Sequence, residues 1–171
     1  YSTEMVRALP DDGNRYETVH GELLVTPAPR AWHQEVAARI FVALRAYVGR
    51  HGCGHAFQSP ADISWAPDVL VQPDLFVVDR EQARSMDWSK MQKVLLTIEA
   101  LSPTTARHDR FTKRRLYQEV GIPLYWIVDP DEKLVEVWTP EAQFPTVERE
   151  RVTWKPEGID EGFVLDLEDL F

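Results

Sequence analysis

Three charged side chains stand where the sequence otherwise calls for apolar ones. Asp74 follows Gln72-Pro73 inside the run Val69 to Val78, and Glu99 interrupts the run Val94 to Ala100. Lys113 lies on a segment whose helical spacing puts it, with Asp109, on the same stripe as Leu116, Tyr117 and Val120. A buried charge is costly unless it is paired or used. Two carboxylates and one ammonium brought together can hold a hard cation and add a positive donor beside it. Oxygen ligands of this kind suit Mg²⁺ or Mn²⁺. Such an ion lowers the pKa of bound water and stabilises charge on a phosphoryl oxygen. Asp109 and Lys113 could instead form a buried ion pair that closes their helix on the sheet.

The elements that must position these groups are legible in outline. Tyr16 to Val19 and Glu22 to Thr26 flank His20-Gly21 and read as a hairpin. Apolar residues at Val36, Ile40, Leu44 and Val48 predict a helix from Trp32 to about Arg50, stopped by the glycines of His51-Gly52-Cys53-Gly54. Two strand-like runs follow, Ala56 to Trp65 and Val69 to Val78, turning at Ala66-Pro67-Asp68. The proline before Asp74 puts that strand at an edge or makes it irregular there. A short helix is expected between Asp79 and Lys90. The continuous run Val94 to Ala100 suits a central strand covered on both faces. A helix over about 105–120, closed by Gly121, and a strand over 124–128 complete a βαβ unit. The end of the first strand and the start of the helix then share one sheet edge, so the Lys113 stem can reach back to Glu99. Strands over 134–139 and near Phe163 to Leu165 are expected beyond it.

Taken together, Pro73-Asp74, Glu99 and Lys113 resemble the PD-(D/E)xK nuclease signature. More specifically, the chain resembles the Uma2 family of restriction-endonuclease-like proteins. The resemblance rests on His20-Gly21-Glu22-Leu23, Ala31-Trp32-His33-Gln34, Val71-Gln72-Pro73-Asp74-Leu75, Ile98-Glu99-Ala100-Leu101-Ser102-Pro103-Thr104-Thr105, Asp109 with Lys113 and Tyr117, and Gly121 through Pro130. A chain of 171 residues suits a single domain, 1–171; the resemblance implies that it is α/β, a restriction-endonuclease-like mixed β-sheet flanked by helices, to which the N-terminal β-hairpin belongs. It also implies hydrolysis of DNA phosphodiester bonds with Mg²⁺ or Mn²⁺ held by Asp74 and Glu99, and the Ala100 carbonyl as a third ligand. The lysine expected two residues after Glu99 is Leu101, so Lys113 stands as its relocated counterpart, orienting water or stabilising developing charge. Glu22 and His33 are expected as outer members of the site, with Glu35 a weaker one. The alternative is a decayed nuclease fold that binds nucleic acid or protein. A phosphoesterase acting on RNA or small nucleotides is a further rival.

The rest of the sequence bounds these readings. The net charge of −9 is concentrated from Asp129 to Phe171, where 13 acidic residues face 4 basic ones. That argues against tight non-specific binding to duplex, which needs a broad basic face. The one basic segment, Arg107, Arg110, Arg114 and Arg115, is expected to contact phosphates. His51, Cys53 and His55 are too closely spaced for a zinc finger and read as a glycine loop; Asp129-Pro130-Asp131 reads as a turn. Tyr117 reads as a core residue with a satisfied hydroxyl. No Gly-x-Ser-x-Gly, P-loop or Gly-x-Gly-x-x-Gly is present, which removes support for esterase, NTPase and dinucleotide-binding readings. One cysteine and no apolar span or secretory leader make a cytoplasmic protein the expectation. A homodimer covering exposed aromatics among Trp88, Trp138 and Trp154 is expected as well.

Overall fold

The computed structural model describes residues Tyr1–Phe171. Its centre is a six-stranded mixed sheet; a four-stranded antiparallel sheet and a two-stranded one lie beside it. The chain enters through a short helix α1 (Thr3–Arg7) and the hairpin β1 (Arg15–Val19) and β2 (Glu22–Thr26). His20 and Gly21 both take positive φ, +50° and +82°, the conformation a two-residue primed turn requires. The long helix α2 (Ala31–His51) follows and ends at Gly52, which is left-handed at φ +62°.

The two strand-like runs that come next are each broken. They form β3 (His55–Gln58), β4 (Ile63–Ala66), β5 (Val69–Val71) and β6 (Leu75–Val78). Pro60 and Pro73 sit in the breaks, where a missing N–H cannot carry a ladder bond. Asp74 therefore lies in an interruption just before β6 rather than within a strand. The breaks also send the pieces to different sheets: β3 and β6 enter the large one, β4 and β5 join the hairpin.

Between Asp79 and Lys90 lie a short helix α3 (Arg80–Ala83) and a 3₁₀ turn. β7 (Val94–Ala100) is central and pairs antiparallel with β6 and parallel with β8 (Tyr125–Asp129). The connection between them is a helix from Ala106, π-helical over His108–Lys113 and α-helical over α4 (Arg114–Glu119). β9 (Leu134–Trp138) pairs with β8, and β10 (Thr146–Glu148) forms the outer edge. The strand expected near Phe163 is present as β12 (Phe163–Asp166). It pairs with β11 (Arg151–Trp154) in a separate ribbon, and α5 (Leu167–Leu170) closes the chain.

Alternation along the central strands divides the core in two. Leu75, Val77, Leu96, Ile98, Trp126 and Val128 face α2 and the C-terminal ribbon. Phe76, Val78, Tyr125 and Ile127 face Leu116 and Tyr117 of the β7–β8 connection and the hairpin sheet. Glu99 alternates with Ile98 and so points to the second side, where Lys113 and Tyr117 lie. Trp138 and Trp154, expected to be exposed, are both buried; only Trp88 keeps partial exposure. The aromatic surface on which a dimer was expected is therefore mostly interior.

Candidate active site

The strand pair β6–β7 and the helix after β7 bring Asp74, Glu99, Ala100 and Lys113 together. Asp74 Oδ2 accepts from the Ala100 N–H at 2.8 Å, and its backbone N–H donates to Glu99 Oε2 at 3.3 Å. The two carboxylates thus brace each other across adjacent strands. Glu99 Oε1 is met by Lys113 Nζ and, at 3.1 Å, by the Tyr117 hydroxyl. Lys113 does reach back over the sheet as its position on the helix predicts. It does so without pairing to Asp109: its two carboxylate partners are Glu99 and, at 2.9 Å, Glu17 Oε1. Asp109 and Lys113 both point inward from the π-helical turn, and such turns are frequent at functional sites.

Two members of this group are not singled out by residue type or spacing. Glu17, in β1, accepts from Lys113 and from the Gln72 N–H at 2.6 Å. Arg15, two residues earlier on the same strand face, donates through Nη1 to Asp74 Oδ1 at 2.9 Å and to Ser59 at 3.1 Å. Their period-two spacing is visible in the sequence, and Glu17 stands opposite the buried Leu24, an unusual partner for a carboxylate. What pairs with them across the fold is not visible there.

The expected outer residues separate. His33, in the first turn of α2, is brought in: Nε2 donates to the Ala100 carbonyl and lies 3.6 Å from Asp74 Oδ2. Glu22 is not; it is exposed at the start of β2, beside the turn. Glu35 is an exposed partner of Arg39 one turn along α2. The basic segment is also largely committed elsewhere. Arg110 pairs with Glu136 at 2.7 Å and Asp129 at 3.4 Å, and Arg114 stacks on Trp138. Of the four arginines only Arg107 and Arg115 are exposed.

Electrostatics follow from this packing. Burial works to raise the Asp74 pKa, but Arg15, His33 and Lys113 outweigh it and hold the carboxyl below its ordinary value. Burial pushes Glu99 well up, against the pull of Lys113 and with the help of Asp74. Asp109 is likewise raised by burial, to about 7, opposed by Lys113. Burial disfavours the charged form of Lys113, yet Glu17 and Glu99 more than compensate, and its pKa is raised. The ammonium is therefore a fixed positive charge.

A cavity of about 720 Å³ opens onto this group. Arg15, His33, Asp74, Ala100 and Asp109 line it, whereas Glu17, Glu99, Lys113 and Tyr117 lie behind them. Asp74 and the Ala100 carbonyl are hard oxygen donors at the cavity wall, which fits Mg²⁺ or Mn²⁺. No three His, Cys, Asp or Glu side chains form a metal cage on their own. Mg²⁺ is commonly held by one or two carboxylates and completed by water and substrate phosphate, so the donor set suits it.

The mixed sheet and its flanking helices have a counterpart among solved structures. The chain aligns over 100% of its length, and 97% of the other's, with a crystal structure from Anabaena variabilis described as "a putative nuclease belonging to DUF820", at a TM-score of 0.79 and 21% identity. Such a likeness speaks to the fold. The family follows from sequence: the Uma2 family, described as "Putative restriction endonuclease", matches residues 3–168, and the chain belongs to it. No curated protein matches the chain. No helix is long and apolar enough to cross a membrane.

Proposed function

We propose that the chain is a metal-dependent endonuclease that hydrolyses DNA phosphodiester bonds, with its site at Asp74, Glu99, Ala100 and Lys113. The observation that carries this reading is the convergence of Asp74 and the Ala100 carbonyl at the wall of a cavity, backed by a buried, protonated lysine. Asp74 and the Ala100 carbonyl would hold Mg²⁺ or Mn²⁺ directly, with Glu99 the further carboxylate of the set. The bound ion would supply a water of lowered pKa and a counter-charge for the phosphoryl oxygens.

The residues themselves hold this arrangement before substrate arrives. The Ala100 N–H fixes Asp74 Oδ2, and Arg15 fixes Oδ1, so the carboxylate keeps its orientation and its charge. Tyr117 and the Asp74 N–H orient Glu99 from two sides. Lys113 keeps its proton and contributes positive potential behind the wall, where a phosphate would gain negative charge. His33 faces both the Ala100 carbonyl and Asp74, and so belongs to the same wall. The full engagement of Lys113 with Glu17 and Glu99 favours one second reading, a nuclease fold whose lysine serves stability and whose cavity only binds.

The test uses supercoiled plasmid and single-stranded circular DNA side by side, in Mn²⁺ or Mg²⁺, with EDTA and Asp74→Ala controls. Cleavage of either DNA that is lost in both controls is the expected result. Cleavage that persists in Asp74→Ala overturns the assignment, and binding without cleavage in any metal favours the second reading.

A further inference from the structure

The cavity in front of Asp74 restricts what can reach it. Its volume of about 720 Å³ lies in the range of small-molecule pockets, about 300–1,000 Å³. The loop Thr26–Arg30, the segment Gln58–Pro60 and the turn Ser102–Thr105 contribute to its lining. Within it, Asp74 and Asp109 are only 9% and 4% exposed. A duplex carries its phosphates on the outside of a rod whose major groove alone is about 12 Å wide. A single strand is thinner and more flexible than that rod, and proteins that bind one take it along a groove lined by cations.

Charge points the same way. Duplex affinity comes from many phosphate contacts on a broad basic face. Here the net charge is −9, and Arg110 and Arg114 are turned to internal partners. Arg107 and Arg115 stay exposed but lie outside the cavity lining, whose own cations include Arg15 and Arg30. Arg15 reaches Asp74 and Ser59 through Nη1 alone, and its buried Nε has no hydrogen-bond partner. Arg30 is exposed at the rim with no ionic partner, where it precedes α2. The first turn of this 21-residue helix has neither a side-chain cap nor an acidic residue, which leaves its N–H groups open to an anion.

We propose that the site takes an unpaired DNA strand and excludes intact duplex. One phosphate lies against Arg15 beside Asp74, and a neighbouring one meets Arg30 at the first turn of α2. This rests on the nuclease reading of Asp74, and deepens it by naming the form of the substrate.

Fluorescence anisotropy with a short labelled oligonucleotide, unpaired or annealed as a blunt duplex, tests it in Ca²⁺. The unpaired strand should bind about tenfold or more tightly, in line with the cost of unstacking a duplex. Arg15→Gln should weaken that binding about tenfold, the scale of one charge-assisted hydrogen bond. Because Arg15→Gln also strips Asp74 of a partner, the exposed Arg30→Ala serves as a second variant and should weaken binding severalfold while leaving the fold intact. Equal or tighter binding of the duplex, no binding of the unpaired strand, or binding untouched by both variants overturns the proposal. The same DNAs in Mn²⁺ separate it from the reading it rests on. Duplex cut without preference for the unpaired strand sinks this proposal and keeps the nuclease. An unpaired strand bound tightly but left uncut does the reverse.

Discussion

Lys113 Nζ lies 2.9 Å from Glu17 Oε1, joining the helix after β7 to the first strand of the N-terminal hairpin. Both side chains are almost wholly removed from solvent, and Glu99 shares the same ammonium. The hairpin sheet is thereby tied to the large sheet by charge, within a buried cluster that also includes Asp109 and Arg15. Removing one member of such a cluster leaves its partners uncompensated in a poor solvent for charge.

Lys113→Met should therefore cost about 3–5 kcal/mol of stability, read from urea denaturation. Adding Glu17→Gln to it should recover part of that loss, since one orphaned carboxylate disappears. A double variant no more stable than Lys113→Met would show that the pair is not coupled.

Asp109 gives stability a pH dependence of its own. Its carboxyl is raised from 3.8 to about 7 in the folded chain, so between those values the folded state holds a proton that the unfolded state has lost. Its contribution to stability is complete below pH 3.8 and disappears as pH rises through about 7. Asp109→Asn, which mimics the protonated form, should gain on the parent chain between pH 5 and pH 8 by on the order of 1–3 kcal/mol. Denaturation midpoints across that range check it; parallel curves for the two proteins would contradict it.

Arg110 is predicted to serve the fold rather than nucleic acid. It bonds Glu136 at 2.7 Å and Asp129 at 3.4 Å, both nearly buried, while remaining about a third exposed itself. Arg110→Ala should lower stability by about 1–2 kcal/mol after allowance for solvent screening, with DNA affinity unchanged. A selective loss of DNA binding at full stability would return it to the interface.

Two glycines that look alike in the sequence should respond oppositely to alanine. A Cβ on Gly54 would lie 2.7 Å from Val77 Cγ1 and 3.0 Å from the Val78 carbonyl, so Gly54→Ala should destabilise by about 1–3 kcal/mol. Gly49 is exposed within α2 with nothing near a Cβ, and Gly49→Ala should stabilise by up to about 1 kcal/mol. Thermal melts of the two variants decide both.

Where an element's own composition carries its conformation, the sequence is informative. The run Val94 to Ala100 is β7 to the residue, and a single carboxylate in an apolar strand singles out Glu99 as a candidate. The turn His20-Gly21, the helix over Ala31–His51 and the reach of Lys113 to Glu99 likewise follow from local pattern. Pairings between distant segments leave no such mark. Arg15 and Glu17 look like ordinary hairpin residues until Asp74 and Lys113 are placed against them. The tryptophans at 138 and 154 are interior because Arg114 stacks on one and Tyr47 packs near the other, contacts that no periodicity reveals. β10 and β11 are short strands in a polar, acidic stretch, too brief for alternation to declare itself.

The π-helical turn over His108–Lys113 has a consequence for the length of the chain. Closing bonds five residues back rather than four stores one extra residue in the helix without changing the direction of its ends. The segment thus holds one residue more than the same length of α-helix, and Phe111, half-exposed on its outer side, is a residue it can spare. Deleting a residue from a helix ordinarily rotates everything beyond it by about 100°. Here loss of Phe111 would let the turn relax to α-helix, with Asp109 before it and Lys113 after it still facing inward.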